Sequence, residues 1–257
     1  MDTKSETFLD RFAQRRALAR WGRAARLADR MRLGLLRKLR DDAMQLRRQL
    51  DRLLHVADRR LTLPLIGTDA IRAPLGTDWS WRPELWRGPV VPAGHAALPS
   101  RAMLGAEATV FHDCSVSELT ARQIRNRHET DLAPYGMRLD VFRFDGSFLS
   151  LVLDLPPEAV QGLRLNHLVR LDCKVDLEKP IEVFARLNIR HGPNTEQLVR
   201  ELPLQQAEPW VEFDLAYSKI NEKRVEKAWI DLIFEGPEMN QIVLRDLTLS
   251  RRPRAEL

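Results

Sequence analysis

LVRLDCKVDL (168–177), IEVFARLNIR (181–190), WVEFDLAY (210–217) and AWIDLIFEG (228–236) alternate apolar and polar residues between turn signals. Successive side chains of a strand point to opposite faces, so each run turns one side to a core and the other to solvent. Val169, Leu171, Cys173 and Val175 fall on the inner side of the first run, and Ile181, Val183, Leu187 and Ile189 on that of the second. Val211, Phe213 and Leu215, then Ile230, Leu232 and Phe234, complete the apolar surface.

Working outward, ATVFHD, ELTARQI, MRLDVFRF and FLSLVLDL precede these runs, and QIVLRDLTLS follows them. Asp145–Gly146 reads as a hairpin turn, and Gly192–Pro193–Asn194 and Gly236–Pro237–Glu238 as further turns. Strands at short intervals without intervening helices predict an antiparallel two-sheet β-sandwich over residues 105–252, with 253–257 as a tail. In the last strand Ile242 and Leu244 alternate, then Leu247 and Leu249. One extra residue near Arg245 and Asp246 explains the change of phase and predicts a β-bulge.

Residues 1–62 have another character. Residues 1–60 hold 17 Lys/Arg against 8 Asp/Glu, whereas the remainder holds 24 against 28, so the net charge of +5 belongs to the arm. Proline is absent until Pro64, Ser5 is a candidate cap, and Ala17, Trp21, Ala24, Ala28, Met31 and Leu35 recur at heptad steps. After a four-residue stutter through Leu39 and Ala43, Leu46, Leu50, Leu53 and Ala57 resume them. The expectation is a long basic helix, in one of three forms. It self-associates as a coiled coil, folds into a hairpin near Gly22 or Gly34, or lies on an anionic membrane surface.

Residues 63–104 are rich in proline and glycine and read as an irregular strap. TDWSWRPELWRGPVVPAG places Trp79, Trp81 and Trp86 there. Packing onto the neighbouring domain is the plainer role for three indoles, and an aromatic platform for a flat ligand the functional one.

The polar sides of the four opening runs supply the candidate site. If the strands are neighbours, Arg186, Asn188, Arg190, Trp210, Glu212, Asp214, Trp229 and Asp231 share one face. Indoles stack on the apolar faces of sugar rings and planar polar groups take hydroxyls, so such a face suits a glycan. A solvated sheet with cross-strand ion pairs accounts for the same residues. Glycoside hydrolysis needs two carboxylates flanking one bond, and Asp231 with Glu212 or Asp214 is the candidate pair for that alternative. No Gly-x-Ser-x-Gly, His-Glu-x-x-His or phosphate-binding glycine loop is present. The arginines of the arm surround a heptad seam rather than forming one stripe, so dedicated nucleic-acid binding is not implied. Cys114 and Cys173 lie in strand context and are expected as buried thiols. There is no secretory leader pattern or transmembrane run, which points to a cytoplasmic protein or to part of an exported, phage-like particle.

MRLDVFRFDGSFLSLVLDLP and KAWIDLIFEGPEMNQIVLRDLTLSRRP together resemble the jelly-roll sandwich of non-catalytic carbohydrate-binding modules. The similar features are a penultimate strand with Trp and acidic residues, a Gly-Pro turn, and a closing strand containing Asp. The whole chain also resembles uncharacterised alphaproteobacterial proteins that carry a domain of unknown function. The resemblance, over roughly residues 105–252, implies glycan or surface-polymer recognition without catalysis; for the basic arm, oligomerisation or docking is the expectation from its own heptad pattern and charge. Many such modules hold a structural calcium through acidic residues of the first and last strands, a pattern that Glu107 and Asp246 match; no other cofactor is implied.

Overall fold

The computed structural model describes residues 8–61, 63–206 and 208–254. The candidate cap Ser5 and the tail beyond Arg254 lie outside the described residues. Two compact units divide the chain, Met1–Ala57 and Asp58–Leu257.

The first unit holds helix α1 (Phe8–Leu27) and most of α2 (Leu33–Leu61). One continuous helix is not formed. After a 3-10 turn at Ala28–Arg30, Met31 is extended, with φ −79° and ψ 149°. The break lies between the two predicted hinge glycines, Gly22 and Gly34. Arg20 and Trp21 of α1 then line a groove with Asp42, Gln45, Leu46 and Gln49 of α2, so the arm is a helical hairpin. Among the described residues no helix is long and apolar enough to cross a membrane.

The second unit is a two-sheet jelly-roll sandwich. In chain order it contains β1 (Trp79–Trp81), α3 (Glu84–Arg87), β2 (Gly94–Ala96), β3 (Arg101–Leu104), β4 (Ala108–His112), β5 (Leu119–Arg125) and β6 (Tyr135–Val141). There follow β7 (Leu149–Asp154), β8 (His167–Leu177), β9 (Glu182–His191), β10 (Asn194–Glu201), β11 (Trp210–Asp214), β12 (Val225–Glu235) and β13 (Asn240–Pro253). One sheet has the order β11-β8-β13-β6-β5-β2, with β1 added to β13 to make seven strands. The other has six, in the order β10-β9-β12-β7-β4-β3. All pairings are antiparallel.

The inner faces of both sheets meet in one core. Leu171, Phe213, Leu187, Ile230 and Leu232 are all buried, as the alternation predicts. β13 runs the length of its sheet, pairing with β8 on one side and with β6, then β1, on the other. Its register shifts between Leu244 and Asp246, the predicted bulge, and on both sides of it the leucines face the core. Burial pushes the Cys173 thiol up to about 12, and Cys114 is also unbridged.

Residues 63–104 are irregular up to Asp78 and then supply the short elements β1, α3, β2 and β3. Trp86 is fully buried, Trp81 nearly so, and Trp79 stacks on Trp81 with centroids 6.4 Å apart. These indoles pack the sandwich and do not form a ligand platform. Their burial removes large apolar areas from water at one end of the core.

Asp145–Gly146 is not a hairpin turn. The chain between β6 and β7 crosses from one sheet to the other, and this arch is latched to the loop after β4. The Asp113 carboxylate accepts from Ser147 N and Oγ at 2.6 Å each and from Phe148 N at 3.2 Å. Reciprocally, Asp145 accepts from the backbone N–H and hydroxyl of Ser115. A Cβ at Gly146 would stand 2.6 Å from Asp113 Oδ1, so the two loops approach too closely for any side chain there.

The Ser147 hydroxyl holds Asp113 below its ordinary 3.8, and the Ser115 hydroxyl does the same for Asp145. Their folded values lie below their unfolded ones. The latch therefore stabilises the fold above the unfolded value and loses that contribution as pH falls through the folded values. Urea midpoints are expected to decline below about pH 4, and an Asp113→Asn/Asp145→Asn variant to start lower and decline less steeply.

Candidate functional site

Alternation places the candidate residues outward, as expected, but on opposite sides of the molecule. β8 and β11 belong to the seven-stranded sheet, and β9 and β12 to the six-stranded one. Trp210, Glu212 and Asp214 are thus separated by the core from Arg186, Asn188, Arg190, Trp229 and Asp231.

On the seven-stranded face the carboxylates are matched with arginines. Arg252 Nη2 lies 2.9 Å from Glu212, Arg254 Nη1 3.2 Å from Asp214, and Arg170 Nη2 2.7 Å from Asp172. The Arg170 guanidinium also lies over the Trp210 ring, 4.1 Å from its centroid, and covers one of its faces. This half of the predicted site is a set of ion pairs, one along β8 and two joining β11 to the C-terminal end of β13 and the residue after it.

The six-stranded face is built differently. Trp229 on β12 stands between Asn188 of β9 and Asp154 of β7, and Asp231 between Arg186 and Val152. A groove of about 440 Å³ opens there, with Phe111, Phe148 and Trp229 among its walls and Arg186 and Asp231 at its polar end. A second depression of about 500 Å³ shares Phe111, Val152 and Trp229 and continues to Arg101, Arg190 and Lys227. The two form one trough across β9, β12, β7 and β4.

Asp231 organises the polar end. Its Oδ2 accepts from Arg186 Nε at 2.7 Å and from Asn188 Nδ2 at 3.1 Å, and Gln197 Nε2 donates to Asn188 Oδ1 at 3.0 Å. The side chain is only 4% exposed, yet its buried Oδ1 has no hydrogen-bond partner among the described residues. A buried carboxylate is costly without donors, and Asp231 finds them in Arg186 and Asn188, both on Oδ2, so its role is to fix the Arg186 guanidinium beside the groove. At the other end Lys227 Nζ sits 2.7 Å from Asp154 Oδ1 and 5.8 Å from the Trp229 centroid, while Arg190 meets Glu226 at 3.3 Å.

Asp231 cannot pair with Glu212 or Asp214 for hydrolysis. The sheets of a sandwich lie about 10 Å apart and these carboxylates point outward from both, beyond the separations that glycosidases use. Nor do Glu107 and Asp246 fit a calcium ion. Asp246 is gripped bidentately by Arg82, at 2.8 and 2.9 Å, and Glu107 accepts from Glu84 N at 2.6 Å with Arg87 Nη2 3.4 Å away. Calcium requires several convergent oxygens, and among the described residues no group of three His, Cys, Asp or Glu is placed to hold a metal.

Phe111, Phe148, Val152 and Asp154 were not among the sequence candidates. The signal was present in the alternation of β4 and β7, where Ala108, Val110, Leu151 and Leu153 face the core and leave Thr109, Phe111 and Val152 outside.

Fold and face together define a jelly-roll β-sandwich with an open aromatic groove across one sheet. The chain matches the family of unknown function DUF6478 over residues 1–257 and belongs to it. A search of curated proteins finds no match. Among solved structures it is similar to the enzymatically active domain of bacteriophage CBA120 tailspike protein 4, at 7% identity and TM-score 0.39, covering 56% of this chain and 19% of that one. It is also similar to the family 11 carbohydrate-binding module of Clostridium thermocellum in complex with a β-1,3-1,4-mixed-linked tetrasaccharide, at 12% identity and TM-score 0.38, covering 59% and 91%. A third is the CBM22-1 xylan-binding domain of Xyn10C from Paenibacillus barcinonensis, at 9% identity and TM-score 0.33, covering 57% and 87%.

Proposed function

We propose that the outer face of the six-stranded sheet binds a glycan chain without cleaving it. The observation that carries this is the pairing, in one groove, of the Trp229 ring with the Arg186 guanidinium, which Asp231 holds at 2.6 Å and which stays 36% exposed. An indole offers an apolar platform to the C–H face of a pyranose, and a guanidinium fixed by a carboxylate donates to ring hydroxyls. The trough is open, which suits an internal stretch of polymer.

The test is affinity electrophoresis of the full chain in gels containing bacterial and plant polysaccharides. Retardation by at least one polymer is expected. Trp229→Ala should weaken it about 30-fold, the loss of roughly 2 kcal/mol that a central aromatic contributes. Trp210→Ala should leave it unchanged. Retardation that survives Trp229→Ala, or none with any polymer, would refute the site, and release of reducing ends would make the protein a hydrolase instead.

A further inference from the structure

We propose that α2 pairs in parallel with α2 of a second copy of this chain. Leu36, Leu39, Ala43, Leu46, Leu50, Leu53 and Ala57 follow one another at steps of 3-4-3-4-3-4. A seven-residue period kept over three repeats drifts around a straight helix unless a partner holds it in a left-handed supercoil. The positions equivalent to d are all leucine (Leu39, Leu46 and Leu53), the choice that favours two parallel strands.

Within one copy the second half of this seam is left open, while Leu36, Leu39 and Ala43 are half-buried. Although Trp21 lies across the groove from Leu46, the residues Leu46, Leu50 and Leu53 remain 41%, 47% and 63% exposed. The seam is also narrow along its middle. Arg40 and Arg47 line one flank and Asp42 and Gln49 the other, with Leu33 and Leu35 widening it at the start and Leu54 and Val56 near the end. A helix lying on lipid needs a broad apolar face; a stripe of two positions in seven is the width a partner helix covers.

Charge selects the orientation. In a parallel pair Asp42 of one helix faces Arg47 of the other, five residues on, and symmetry makes this contact twice. An antiparallel pair would bring Arg40 and Arg47 against the same arginines of the partner.

Sedimentation equilibrium of the full chain tests this. At micromolar concentration the mass is expected to be twice 29.7 kDa. Leu46→Glu/Leu53→Glu should return it to the single-chain mass while the sandwich melts as before. Asp42→Arg should raise the dissociation constant about tenfold, two exposed ion pairs becoming repulsions, and Asp42→Arg/Arg47→Asp should restore it. A single-chain mass for the unaltered protein would overturn the proposal, as would a trimer or a dimer indifferent to the two glutamates. Failure of the double charge reversal to restore pairing would overturn the parallel register. A protein that stays single but co-sediments with anionic vesicles through the same leucines would show the seam to be a lipid-binding face.

Discussion

Arg82→Ala is expected to lower the free energy of unfolding by about 3–5 kcal/mol, through the carboxylate it strands rather than through its own contacts. Arg82 is 3% exposed and clamps Asp246 with two parallel N–H donations, and it also donates to the Asp69 carbonyl. Asp246 sits at the bulge of β13, where its Oδ1 additionally accepts from Leu247 N at 2.8 Å. Removal of the guanidinium leaves a desolvated anion in the middle of the longest strand. An Arg82→Met/Asp246→Leu double variant is expected to recover much of the loss, since an apolar pair avoids both desolvation penalties. It will not recover the acceptor for the Leu247 amide. Urea unfolding at constant m-value separates the outcomes: a midpoint in Arg82→Ala no lower than in the double variant would show that the ion pair does not hold the bulge.

Trp86→Ala should be comparably severe, at about 3–5 kcal/mol. The ring is completely buried, and its Nε1 donates at 2.9 Å to the Leu244 carbonyl, on the other side of the same bulge. The substitution opens a cavity and leaves that carbonyl without its indole partner. Trp86→Phe retains most of the volume, so its cost, about 1–3 kcal/mol, isolates the hydrogen bond and the missing ring edge. Thermal melts of both variants check the ranking. Equal losses in the two would assign the whole effect to what phenylalanine lacks, the indole N–H and the ring edge.

The contrast between these residues and the predicted strap shows what pattern reading can reach. Period-two alternation reports that a side chain is in or out, and it placed the long strands and the bulge of β13. It does not report which sheet a strand joins. The inner faces of both sheets are alike in sequence, so Trp210 and Trp229 looked like neighbours although a core lies between them. β10 was missed because it is an edge strand whose residues are mostly solvated, with Leu198 alone packed against the core. β1, β2 and β3 are three or four residues long, too short for a period to register. Asp145–Gly146 carries strong turn chemistry, and local chemistry cannot distinguish a hairpin from an arch between sheets. In the arm, heptad spacing continued across Ala28–Arg30, where the helix ends without a proline.

The central position of β13 has a consequence for how the molecule is made. During synthesis this strand emerges after all the others, yet β1, β6 and β8 each need it as a hydrogen-bonding partner. The six-stranded sheet can assemble on the nascent chain once β12 is out, while its companion waits with open strand edges and an uncovered apolar face. Completion of the sandwich is therefore a late event dominated by contacts distant in sequence, and slow for that reason. The emergence of β13, rather than of the first strands, sets the moment at which the nascent sandwich ceases to be vulnerable to aggregation.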